Sequence, residues 1–142
     1  MSRSFEAFGM SIVAAIAVAT CGTGVAAAEA GPDGHYYGSM AGEIIGDQVA
    51  AMWGVNYPNW GEADAAALSF CETDHCQVLA RFVDGCGSIA IKNETLMGGV
   101  GRTQGDAEGA AMGAFGPPDL VSMSAGQPGP QVVHSECTAN SG

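Results

Sequence analysis

Basic residues are scarce in this chain. Its 142 residues include 4 Lys and Arg against 15 Asp and Glu, and the formal net charge is −11. Nucleic-acid binding requires clustered basic side chains that neutralise phosphates, and binding to anionic membrane surfaces requires the same clusters. We therefore expect no nucleic-acid partner. The excess of acid serves solubility in the first place, and recognition of a basic partner is the alternative.

Long apolar runs are also missing, since no stretch reaches the roughly 20 residues that a membrane-spanning helix needs. A shorter apolar run at residues 10–19 follows Arg3 and leads to Val25-Ala26-Ala27-Ala28. A basic start, a short apolar core and an A-x-A site are typical of a secretory signal peptide. We predict that residues 1–28 are such a peptide and that the mature protein is secreted, with no transmembrane segment.

A lipid anchor is the alternative to cleavage and release. Residues 18–21 resemble a bacterial lipobox that ends at Cys21, although Thr20 is an unusual residue before the cysteine. A lipid on Cys21 would hold the protein at the surface of the cell envelope. The better-formed A-x-A site favours secretion instead.

Few cysteines remain once the signal peptide is removed: Cys71, Cys76, Cys86 and Cys137. An even number of cysteines in an exported chain is typical of a disulfide-stabilised small domain. Of the three possible pairings we prefer Cys71–Cys76, which brackets a polar turn, and Cys86–Cys137, which joins a middle strand to the last one. Zinc held by Cys71, Cys76, Cys86 and His75 is the alternative. Export favours oxidation, so we predict no metal site.

Two segments of the chain repeat one pattern. Alternating apolar residues at positions 53–57 predict a strand, and Asn59 followed by Glu62 predicts the capping box of a helix. Thr103 and Asp106 repeat this arrangement later in the chain. Alanine recurs at helical spacing after both caps, which indicates two helices that lie close to a sheet.

The strand and turn signals predict the order β-β-α-β-β-β-α-β. This order indicates a single α+β domain over residues 35–138, with an antiparallel sheet, two short Ala-rich helices and disulfide staples. Residues 29–34 and 139–142 are predicted to be flexible ends. The segment 116–130, rich in Pro and Gly, is predicted to be a long irregular loop before a last strand at 131–136.

No complete catalytic motif is visible. A G-x-S-x-G turn is missing, and the cysteines leave no free thiol once they pair. Glu62 with Asp64 and Asp106 with Glu108 are the visible carboxylate pairs, but each pair has a simpler role at a helix N-terminus. The histidines are predicted to be surface or turn residues: His35, His75 and His134. We predict no catalytic residue, no metal and no cofactor.

Several segments of the sequence carry a family resemblance. They are His35-Tyr36-Tyr37-Gly38, residues 71–78, residues 81–90, Gly98-Gly99-Val100-Gly101 and the terminal Cys137. They resemble the exported actinobacterial, mycobacterial-type family catalogued as domain of unknown function 4189, over about residues 35–138. The resemblance implies export, disulfides and, for members from pathogens, a role at the host interface. It implies no catalytic residue, and the segment 116–130 departs from the family pattern.

A secreted, non-enzymatic binding protein is the hypothesis that these observations favour, because a stapled acidic domain without a catalytic set is suited to binding. An effector- or antigen-type protein at the cell exterior fits this description. The alternative is a small secreted hydrolase whose carboxylates come together only in the fold. The sequence indicates neither a particular protein partner nor an oligomeric state.

Overall fold

The structure is a computed structural model that describes residues 30–141. Its elements in chain order are β1 (Tyr37–Ile45), β2 (Gln48–Tyr57), α1 (Trp60–Leu68), β3 (Gln77–Val83), β4 (Cys86–Lys92), β5 (Thr95–Gly101), α2 (Gln104–Gly113), α3 (Leu120–Ser124) and β6 (Gln131–Cys137). The predicted α+β class is confirmed. The predicted signal peptide and the alternative anchor at Cys21 lie outside the described residues.

One element is additional to the predicted order. The short helix α3 lies within the segment that the sequence assigned to an irregular loop. Asp119 begins it by accepting a hydrogen bond from the Val121 amide at 3.1 Å and another from the Ser122 hydroxyl at 2.7 Å. A helix of 5 residues is too short to produce a helical repeat in the sequence, so the surrounding Pro and Gly residues dominate the prediction.

The strands form two antiparallel sheets of three strands rather than a single sheet. The first sheet has the order β2-β1-β3 and the second has the order β5-β4-β6. In each sheet the strand that comes first in the chain lies in the centre, so each half of the domain completes its own sheet. Asp84, with φ of 49°, and Gly85 turn the chain between the two halves.

The two halves repeat each other in detail. Each consists of a hairpin, a helix and a third strand that pairs with the first strand of the hairpin. Ser39 on β1 lies opposite Gly54 on β2, and Ser88 on β4 lies opposite Gly99 on β5. In both halves the register with the third strand shifts shortly after this serine. The repeat seen at the helix caps therefore extends through both sheets.

The main apolar core lies between the two sheets. Met40 and Ile89, from the two central strands, are fully buried in one apolar cluster with Phe82. Gly38 and Gly87 make room for the Phe82 ring, because a β-carbon at either position would lie 2.4 Å from a ring carbon. The close approach of the ring to both central strands therefore requires glycine at these two positions.

Each helix packs on the outer face of its own sheet. α1 contacts the strands β1, β2 and β3, and α2 contacts β4, β5 and β6. The buried residues of the helices are alanines, Ala63 and Ala67 in α1 and Ala107 and Ala111 in α2. The layers are therefore α1, the first sheet, the second sheet and α2, and small side chains let each helix approach its sheet closely.

Both predicted helix caps are present. The Asn59 side chain accepts a hydrogen bond from the Glu62 amide at 2.9 Å, and the Thr103 hydroxyl accepts one from the Asp106 amide at 3.1 Å. Glu62 returns the contact by accepting from the side-chain amide of Asn59 at 3.0 Å, not from its backbone. These local contacts fix where both helices begin.

Two disulfides close the domain. Cys71 is joined to Cys76 and Cys86 is joined to Cys137, which is the pairing preferred from the sequence. The first disulfide closes the short loop after α1. The second joins residues that lie opposite each other on β4 and β6, so it ties the last strand of the domain to the centre of the second sheet.

Candidate functional site: an apolar cavity beside the second helix

The first predicted carboxylate pair is engaged in structural contacts. Asp64 accepts hydrogen bonds from the Ser39 hydroxyl and from a guanidinium nitrogen of Arg81, both at 2.6 Å. Burial raises the pKa of Asp64, but the hydrogen bonds from Arg81 and Ser39 outweigh it and leave the pKa below its usual value. Its neighbour Glu62 belongs to the cap of α1. A low pKa opposes a role as a general acid.

The equivalent acid of the second half behaves in the same way. Glu108 accepts hydrogen bonds from Gln104 and from the Ser135 hydroxyl, both at 2.8 Å, and these bonds lower its pKa. Ser135 lies opposite Ser88 on the central strand. In each half, an acid on the helix therefore binds a residue of the sheet beneath it. The two pairs lie on helices in opposite outer layers, and the structure does not bring them together.

The histidines predicted as surface or turn residues have three different environments. His75 is exposed, with 84% of its side-chain surface accessible. His134 is largely covered: it stacks on Trp53 with ring centroids 4.2 Å apart and contacts Glu136 at 2.9 Å. His35 forms a short contact with the carboxylate of Asp84.

A polar cluster around Asp84 was not predicted from the sequence. One Asp84 oxygen accepts from the Tyr36 amide at 3.0 Å and from the side-chain amide of Asn140 at 2.7 Å, while the other contacts His35. These bonds, led by the one from Tyr36, lower the pKa of Asp84 to about 2. The hydrogen bond to Asp84 raises the pKa of His35. Asp84 thus holds both ends of the domain to the turn between its halves.

Glu43 lies among sulfur atoms but has a structural role. Its carboxylate and the sulfurs of Cys71 and Cys76 lie within 4.8 Å of one another, a spacing that metal ligands also adopt. The two cysteines form a disulfide, however, and the buried carboxylate accepts from the Glu72 amide at 2.7 Å and from the Thr73 amide at 2.9 Å. The Thr73 hydroxyl donates to it as well, at 2.6 Å. Glu43 therefore anchors the loop after α1.

The chain after α2 encloses an apolar cavity of about 360 Å³. Its lining consists of Lys92, Met112, Gly113, Gly116, Pro117, Pro118, Asp119, Ser122, Met123, Gln127, Pro128, Gly129 and Pro130. The chain can fold back around this space because Gly116 and Gly126 have φ of 92° and 83°, which favour glycine. Sequence analysis placed a loop here but gave no sign of the cavity.

The short helix α3, which supplies part of the cavity lining, also carries exposed apolar side chains. Leu120 and Val121 on α3 are 74% and 77% exposed, and Met123, which also lines the cavity, is 56% exposed. Adjacent exposed apolar side chains of this size on a small domain mark a binding region more often than single ones do. A concave apolar space with few polar groups is the usual form of a small-molecule site. The cavity is therefore the candidate functional site.

Fold and site together define a small α+β domain with two disulfides and an apolar cavity after its second helix. The chain belongs to the family described as a domain of unknown function, DUF4189, whose model matches residues 37–116. No curated protein and no solved structure matches it. None of the helices in the described part of the chain is long and apolar enough to cross a membrane. The family match ends at Gly116, so α2 and Lys92 lie inside it while the rest of the cavity wall follows it.

Proposed function

We propose that the protein is exported and acts by non-enzymatic binding, and that the cavity after α2 takes a small, mainly apolar molecule. The observation that carries this proposal is the cavity of about 360 Å³ itself, whose lining is rich in Met, Pro and Gly. Ligand sites have volumes of roughly 300–1,000 Å³ and are mostly apolar. The cavity lies near the lower end of that range, which suits a small ligand.

The rest of the domain is suited to hold such a site in place. α2 forms one wall of the cavity, and its buried alanines Ala107 and Ala111 fix it on the second sheet. The disulfide Cys86–Cys137 ties two strands of that same sheet. Disulfides form in oxidising compartments, and this supports export.

Filling the cavity tests the proposed function. Gly113 lines the cavity and a β-carbon at this position meets no atom within 4 Å, so the backbone leaves room for Gly113→Leu to add apolar atoms beside the ligand space. We expect titration calorimetry with decanol to show binding to the natural protein and binding weaker by about tenfold or more to Gly113→Leu.

Gly109→Leu is the matched control for this substitution. Gly109 lies on the same helix, its β-carbon would also meet no atom within 4 Å, and it does not line the cavity. We expect Gly109→Leu to bind decanol as the natural protein does. Equal decanol binding by all three proteins, or no binding by any, would overturn the cavity as the functional site.

Export is tested separately by the intact mass of the protein recovered from outside the producing cell, before and after reduction. We expect a mature chain that starts near Glu29 with no free thiol. A lipid-modified mass that starts at Cys21 would replace secretion by anchoring at the envelope. Free thiols would contradict the two-disulfide domain.

A further inference from the structure

We infer that the ligand of the cavity is an amphiphilic anion, with a short apolar body in the cavity and an acidic group at Lys92. The inference rests on the proposed function, because it names the class of molecule that this same site takes. It depends on the two charged residues of the lining, Lys92 and Asp119, which differ in how far their hydrogen-bonding capacity is used.

Asp119 is already engaged within its own helix. One of its oxygens accepts from the Val121 amide at 3.1 Å and the other accepts from the Ser122 hydroxyl at 2.7 Å. These bonds, led by those from Ser122, lower the pKa of Asp119, and the nearby positive charge of Lys92 lowers it further, so it remains ionised. Asp119 therefore acts as a helix cap and offers little to a ligand.

Lys92 is the charged residue of the lining whose side chain makes no hydrogen bond or close ion pair within residues 30–141. Within residues 30–141 no carboxylate lies within 4.0 Å of its ammonium group, whereas Arg81 is paired with Asp64 at 2.6 Å. Lys92 ends β4 next to the tight turn of Asn93 and Glu94, which have φ of 49° and 64°. Its backbone position is thus fixed, and an ammonium group at the edge of an apolar cavity favours an anionic end on the ligand.

The repeat supports this role for Lys92. Glu43 lies opposite Ala50 on the first hairpin, and Lys92 lies opposite Thr95 at the corresponding place on the second. Glu43 holds the segment that follows α1 by accepting its backbone amides. Lys92 faces the segment that follows α2, but that segment leaves a cavity in place of a closed loop. The position that is filled by a loop in the first half is therefore open to a ligand in the second.

The net charge of the chain distinguishes specific binding of an anion at Lys92 from nonspecific electrostatic attraction of charged molecules to the protein. A net charge of −11 attracts cationic amphiphiles and repels anionic ones at long range. A site centred on Lys92 has the opposite preference at short range. The size of the cavity, about 360 Å³, further indicates a free short-chain molecule rather than a lipid within a bilayer.

The experiment compares three probes with the same chain length: decanoate, decanol and decyltrimethylammonium. Titration calorimetry uses the folded protein with both disulfides intact, at pH 7 and below the micelle-forming concentrations. We expect decanoate to bind about three- to tenfold more tightly than decanol, which corresponds to a partly exposed charge pair, and decyltrimethylammonium to bind most weakly. Lys92→Met removes the preference, so that decanoate and decanol bind to this variant with equal affinity.

Arg102→Met is the matched control, because it also removes one positive charge but from a residue outside the cavity lining. We expect it to keep the preference for decanoate. Decanol binding with no preference for decanoate would overturn the inference and leave the proposed function standing, whereas no binding of decanol would overturn both. The inference would also be overturned if decyltrimethylammonium bound most tightly of the three probes. It would be overturned as well if the protein sedimented with phosphatidylglycerol vesicles but did not bind decanoate.

Discussion

The two halves of the domain share one fold, yet the chain that follows the helix differs completely between them. After α1 the chain makes a short loop, closed by Cys71–Cys76 and held by the buried carboxylate of Glu43. After α2 it makes a longer segment with its own short helix and no disulfide, and this segment encloses a cavity. One copy of the repeat thus ends in a closed loop and the other in an open site.

This difference shows that two copies of one fold can keep the contacts within each layer and still differ in the segment that follows the helix. Each helix carries an acid that accepts a hydrogen bond from a serine of its own sheet. In the first half Ser39 donates to Asp64. In the second half Ser135, the neighbour of Ser88, donates to Glu108. Glu43 and Lys92 are equivalent in position but opposite in charge. The shared positions hold each helix to its sheet, and the differing position determines what lies beyond the helix.

Removal of the disulfides is expected to give the largest effects. In the chain-entropy model the stabilisation by a disulfide rises with the logarithm of the number of residues in the loop that it closes. The sequence separation is 51 residues for Cys86–Cys137 and 5 for Cys71–Cys76. We expect the double alanine variant of Cys86–Cys137 to lose about 4 kcal/mol in the free energy of unfolding and that of Cys71–Cys76 to lose about 2 kcal/mol. Urea denaturation measures both. Equal losses would contradict the larger constraint in the second half.

Substitution of Glu43 is expected to have the next largest effect on stability. Its comparison with the same substitution at Lys92 contrasts the equivalent positions of the two halves directly. Glu43→Ala leaves the amides of Glu72 and Thr73 and the Thr73 hydroxyl without their buried acceptor, at a cost of about 3 kcal/mol. Lys92→Ala at the equivalent position removes no hydrogen bond among the described residues and should change stability by less than about 0.5 kcal/mol. Urea denaturation of both variants makes the comparison. Similar losses would show that Lys92 also holds its loop.

The helix caps and the order of the elements could be predicted from the sequence because their signals are local. Asn59 with Glu62 and Thr103 with Asp106 lie within one turn of each helix start. The division into two sheets could not be predicted, because alternation within a strand indicates a buried face but not the partner strand. The equivalence of Glu43 and Lys92 is likewise hidden, since the two residues share neither charge nor neighbours in the sequence.

The cavity and the Asp84 cluster escaped prediction for a related reason. The cavity depends on how a segment rich in Pro and Gly folds back on α2, and its lining brings Lys92 together with residues around Gly129. The cluster brings His35 and Asn140, from opposite ends of the domain, to one turn. A weak local signal existed only for the turn itself, in the Asp84-Gly85 dipeptide.

The smallest expected effect concerns the turn that joins the halves, and it depends on pH. Asp84 ends the first half and Thr138 takes the equivalent place in the second: the Asp84 amide donates to the Tyr36 carbonyl at 2.9 Å, and the Thr138 amide donates to the Gly85 carbonyl at 2.8 Å. Only the first of these positions carries a titratable group. Asp84→Asn should therefore destabilise in a pH-dependent way, and Thr138→Val should destabilise equally at every pH.

The direction of this dependence follows from the two shifted pKa values. Asp84 has a pKa lowered from 3.8 to about 2, so its contribution is present above pH 3.8 and is lost as the pH falls toward 2. His35 has a pKa raised from 6.5, so its contribution is present below pH 6.5 and is lost as the pH rises through the raised value. The difference in melting temperature between the natural protein and Asp84→Asn should thus be largest between about pH 4 and 6.5. A constant difference from pH 3 to 9 would mean that Asp84 acts as an uncharged hydrogen-bond acceptor, and the two halves would then be alike at this position as well.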